Sequence, residues 1–106
     1  MNALQEMSLK EILRQFEKPL FENPETHFAR LQFSNEKKQI TLIQYSCEFK
    51  EVDRQVFNEE SRGAKKVIPA LNVILAGTKE ITAFLQRDNK TVNLIINGNT
   101  QKKIEL

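Results

Sequence analysis

The sequence is poor in the residues that most often carry chemistry. Its 106 residues include one cysteine, Cys47, one histidine, His27, and no tryptophan. A lone cysteine excludes an internal disulfide and suits a reducing compartment. One histidine and one cysteine cannot assemble a His/Cys metal cluster. A Ser-His-Asp or Cys-His site would have to use His27, and Cys47, set in an alternating apolar stretch, reads as a core residue. The three glycines, Gly63, Gly77 and Gly98, leave no GxGxxG, no P-loop and no phosphate cradle. Acidic residues are plentiful but form no recognisable acid pair or calcium loop. No catalytic residue, metal ligand or cofactor is assigned, and the expectation is a protein that is not an enzyme.

Long apolar runs are missing as well. No window reaches the ~18 residues of a membrane helix. The opening MNALQEMSLKEIL lacks a basic segment followed by an apolar one. These absences lead to the expectation of a cytoplasmic chain with no membrane partner. Neither sign of charge dominates: 16 Lys and Arg face 14 Asp and Glu, for a formal net charge of +2. That balance permits nucleic acid as a partner without being the footprint of a duplex-DNA binder. The length suits a single domain, 1–106, with one core. No internal repeat or linker is evident.

What the chain does have is alternation. In Glu80–Gln86, the residues Ile81, Ala83 and Leu85 share one parity, and Thr91–Asn97 repeats the pattern with Val92, Leu94 and Ile96. Period two marks a strand with one buried face. A two-residue loop at Asp88-Asn89 would pair Leu85 with Val92 and Ala83 with Leu94. The next turn, Asn97-Gly98-Asn99, must be a three-residue loop pairing Ile96 with Thr100 and Val92 with Ile104, because a slip of one residue would turn the last strand over. Asn99 suits the left-handed position such loops usually need. In this register the outer face of the meander carries Thr82, Phe84, Gln86, Asn93, Ile95, Gln101 and Lys103, with Phe84 opposite Asn93.

Upstream, Ser8-Leu9-Lys10-Glu11 has the form of a capping box, with Met7 and Ile12 placed as a hydrophobic staple. It predicts an amphipathic helix of about ten residues, too short to be stable alone, using Leu9, Ile12, Leu13 and Phe16 and stopping before Pro19. His27–Phe33 alternates, with Ala29, Leu31 and Phe33 inward and Phe28 and Arg30 outward. Gln39–Phe49 predicts the longest strand, with a change of parity at Leu42-Ile43 that points to a bulge or to burial on both faces. The charged stretch 50–66 predicts a long solvated loop with a short strand near Gln55–Phe57, and Gly63 as a turn or hinge. Val67–Ala76 fits a buried helix starting near Pro69 with Gly77 just past its end, and also fits a buried strand.

The fold class that follows is α+β: an N-terminal helix plus a curved antiparallel sheet of about five strands, ending in a three-strand meander. The element order is loosely similar to that of the OB-fold. Function is expected in a small non-catalytic binding module. The first expectation is single-stranded nucleic acid on a sheet face, through Phe28, Arg30, Phe84, Asn93 and Lys103, since bases stack on aromatic rings and cations follow phosphates. The second is a protein partner: an inhibitor, adaptor or immunity-type protein of a mobile element, using Arg54, Glu59, Glu60 and Arg62 or a strand edge. The third is a homo-oligomer with Phe84 and Ile95 buried between copies.

Overall fold

The computed structural model describes residues 1–61 and 64–106, and of residues 64–66 and 68 the backbone alone. Arg62 and Gly63, both singled out from the sequence, lie outside the described residues.

The first helix, α1, spans Ala3–Glu22, twice the expected length. Its start is set by Asn2 rather than Ser8. The Asn2 side chain accepts from the Gln5 N–H at 2.9 Å, and the Gln5 side chain accepts from the Asn2 N–H at 2.8 Å. This is the same reciprocal capping logic, placed at Asn2 instead of Ser8. Met7, expected in a staple, is exposed. The helix also runs through Pro19. Proline removes its own N–H from the ladder and its ring crowds the Gln15 carbonyl, and the buried Leu20 beyond it ties the last turn to the core. Pro19→Ala restores the missing bond to the Gln15 carbonyl and is expected to raise stability by up to about 3 kcal/mol. Urea unfolding measures it, and an unchanged midpoint would show that the last turn contributes little.

Six strands follow in one antiparallel sheet, in the order β3-β2-β1-β4-β5-β6. They are β1 (Phe28–Ser34), β2 (Gln39–Tyr45), β3 (Glu51–Phe57), β4 (Glu80–Gln86), β5 (Asn89–Ile96) and β6 (Thr100–Glu105), with α2 (Ala64–Ile74) between β3 and β4. The ambiguous stretch is therefore helical, and Gly77 follows with φ +72°, as a C-terminal glycine should. Gln5 also links the helices: its Nε2 donates to the carbonyls of Ala76 at 2.9 Å and Ile74 at 3.4 Å. No helix among the described residues is long and apolar enough to cross a membrane.

The chain order α-β-β-β occurs twice, and the first strand of each unit, β1 and β4, pairs at the centre of the sheet. The sheet does not close, because β3 and β6 lie at opposite edges. The OB-like element order thus does not extend to a closed barrel. Both helices contribute to a core on one face. Leu9, Ile12, Leu13, Leu20, Leu71 and Ile74 meet Ala29, Leu31, Phe33, Ile40, Leu42, Ile81, Ala83, Leu85, Val92, Leu94 and Ile104.

Two stretches differ from the sequence expectation. The predicted long second strand ends at Tyr45, since Ser46 builds a turn. Its Oγ accepts from the N–H groups of Glu48 and Lys50, and its own N–H donates to the Lys50 carbonyl at 2.8 Å. Side chains of this type offer the backbone an alternative to the ladder. Cys47 consequently sits exposed in the turn, not in the core. Within the predicted charged loop, the short strand expected near Gln55–Phe57 begins earlier and runs as β3 from Glu51, an edge strand with solvent on its unpaired side, and the last residues of the stretch begin α2. Charge belongs on such an edge, where it discourages pairing with other chains.

The meander holds the expected inward set with local shifts. Ala83 pairs with Leu94, Phe84 with Asn93 and Thr82 with Ile95, as read from the sequence. The turn itself lies one residue earlier, at Arg87-Asp88, and the register shifts between Phe84 and Gln86, so Leu85 and Val92 are not direct partners. The three-residue loop after β5 is as expected, with Ile96 opposite Thr100 and Val92 opposite Ile104. Its positive φ angles fall on Asn97 and Gly98, not on Asn99.

Candidate functional site

With both helices on one face, the other face of the sheet is open. Cross-strand pairing places the outward residues in rows that run across the sheet. The central row reads Arg54, Ile43, Arg30, Phe84, Asn93 and Lys103, one residue from each strand in sheet order. Four of the five residues assigned to nucleic acid from the sequence stand in this row as direct neighbours. The fifth, Phe28, precedes Arg30 by two positions on β1 and pairs with Tyr45 and Gln86. Neither ring lies under α1.

An open pocket of about 380 Å³ lies on this face toward the end where Phe28, Tyr45 and Gln86 pair. Phe28, Tyr45, Phe49 and Phe84 supply its aromatic wall, with Arg30 and Asn93 among its polar lining. Phe84 is 37% exposed. Phe28 is less available than expected. Phe49 lies flat against it, with ring centroids 4.4 Å apart and planes 13° from parallel. The alternation of the sequence places Phe49 in a strand. In the Ser46 turn it has a φ of +61°, an unfavourable value for a bulky side chain. Its ring is otherwise largely in solvent. The backbone strain is thus accepted where it brings a fourth ring to the pocket, beside Phe28, Tyr45 and Phe84, and only the turn geometry could have revealed that.

Arg30 is the unusual polar group. Its Nε is buried and has no hydrogen-bond partner among the described residues. Leaving a buried donor unpaired costs about 1–3 kcal/mol, more when the group is charged. The neighbouring Ile43 is 1% exposed although it points to the open face. Ile43 sits between Arg30 and Arg54 in the row, whose long stems flank it. This accounts for the parity change at Leu42-Ile43: β2 is buried on both faces.

The two arginines differ in their company. Arg54 donates from Nη2 to Glu51 Oε1 at 2.7 Å and from Nε to the same oxygen at 3.2 Å. This hydrogen bond holds the Glu51 carboxyl below the usual carboxylate range, with Arg54 and Arg30 adding charge attraction, and the Arg54 guanidinium is shifted upward in turn. At neutral pH Arg54 is therefore neutralised locally. Arg30 and Lys103 form no ion pair among the described residues. Of the residues assigned to a protein partner, Glu59 and Glu60 are exposed beyond the end of β3, and Arg54 stands apart from them in mid-strand.

No protein-family model and no curated protein matches this chain.

Proposed function

We propose that this chain binds single-stranded nucleic acid on the open face of its sheet. The observation that carries the reading is Arg30: a residue with a buried guanidinium nitrogen that has no acceptor, in the lining of a pocket walled by aromatic rings. Aromatic rings accept bases of any sequence because every base has a π face, and guanidinium donors suit phosphate oxygens and base carbonyls. A single strand offers both groups at once, whereas the bases of a duplex are stacked on each other. The net charge of +2 implies an affinity that depends on these few contacts and falls as salt rises.

Fluorescence anisotropy with a labelled oligonucleotide at low salt tests the reading. Phe84→Ala is expected to weaken binding about 5- to 150-fold, corresponding to the ~1–3 kcal/mol of one stacked base. Phe84 lies away from the helix-packed core, so the variant should fold. Absence of binding by the wild type would sink the proposal, and binding unchanged in the variant would remove the stacking role. A protein partner engaging the free edge of β3 is the competing outcome. It would show as a protein recovered in a pull-down from which nucleic acid is absent.

A further inference from the structure

We infer that the bound strand crosses the sheet at right angles to the β-strands, along Arg30, Phe84, Asn93 and Lys103, with a base on each side of the Phe84 ring. This inference rests on the single-strand reading above and adds a path to it.

Two pockets share Phe84 and Asn93 as a common ridge. One lies toward β1 and holds Phe28, Arg30, Tyr45 and Phe49. The other, about 320 Å³, lies toward β6 and holds Ile95, Gln101 and Lys103. Each has an apolar wall for a planar group and one outward cation, Arg30 in the first and Lys103 in the second. The two cations are three strand positions apart, or ~14 Å at the usual spacing of neighbouring strands.

The adjacent rows do not offer such a route. On one side, Val56, Thr41, Gln32, Thr82, Ile95 and Gln101 carry no charge at all. On the other, Glu51, Tyr45, Phe28, Gln86 and Asn89 carry a carboxylate and no cation, and Phe49 covers Phe28. A path parallel to the strands would leave the central row for these neighbours within two residues. A polyanion with regularly spaced planar groups follows the cations, and the cations lie across the sheet. The footprint is short, near the lower end of the about 4–16 nucleotides usual for single-strand sites on small β-domains.

The test compares Lys103→Gln, Lys103→Arg and the distant control Lys37→Gln, measuring the affinity for a labelled oligonucleotide across a series of salt concentrations. Loss of one phosphate contact should lower the slope of log affinity against log salt by about 0.7 for Lys103→Gln. Lys103→Arg should keep the slope, and Lys37→Gln should leave both slope and affinity unchanged. If the wild type binds and Phe84→Ala weakens it, but Lys103→Gln changes neither slope nor affinity, the strand does not reach β6 and this path is wrong while the single-strand reading stands. An equal fall in slope for Lys37→Gln would also overturn the path, since it would show diffuse attraction rather than a track. No binding by the wild type overturns both.

Discussion

Arg30→Met is expected to change two properties in opposite directions. Affinity for a single strand should fall about 10- to 150-fold, the equivalent of losing one hydrogen bond to a charged group at ~1.5–3 kcal/mol. Stability of the free protein should rise, by up to about 1–3 kcal/mol, because the substitution removes a buried donor that has no acceptor. Methionine keeps an unbranched apolar stem beside Ile43, so packing on the open face is largely retained. Arg30→Lys separates charge from geometry: it keeps the positive charge, loses the planar fork and should bind at an intermediate strength. Anisotropy and urea unfolding on the same variants check both effects. A loss of stability in Arg30→Met would mean that the guanidinium is structural. Unchanged affinity would mean that it does not meet the ligand.

The second large effect lies on the opposite face. Phe33 is fully buried, with Ile40 and Ile81 as its cross-strand neighbours. Phe33→Ala is expected to cost about 3–5 kcal/mol, a large part of the about 5–15 kcal/mol that holds a domain together. At ~4–8 °C per kcal/mol for a domain near this size, the melting temperature should drop by at least about 12 °C. Met7→Ala, at a side chain left in solvent, should stay within about 0.5 kcal/mol of the wild type. Thermal melts of the two variants give the comparison, and equal shifts would contradict the assignment of the core to the helix-covered face.

These two residues also show how much of the molecule is legible in sequence. Phe33 and Arg30 are three apart on one strand, and period-two alternation alone sends them to opposite faces. Joined to the loop lengths, the same rule places Phe84 opposite Asn93, and Ile104 opposite Val92. Sequence patterning failed where a side chain replaced the ladder. Ser46 ends β2 with its own hydroxyl, and so carries Cys47 into solvent and Phe49 onto Phe28. It failed again at β3, whose charges look like those of a loop because an edge strand has one side in water. At α1, two segments had capping potential, and docking of the longer helix on the sheet favoured Asn2 over Ser8.

By itself the sequence determined which side chains face inward along each regular strand, since alternation is a local property and burial of one parity follows from the hydrophobic effect. It likewise determined the α+β class and the length of the last loop, because each depends on neighbours close in the chain. Only the tertiary structure decided that both helices cover the same face and leave the other open. Only it revealed the doubled α-β-β-β order, which no similarity of residues records. The pairing of β1 with β4 joins residues about fifty positions apart, and that long-range choice brings Arg30 beside Phe84 and makes a site of the two.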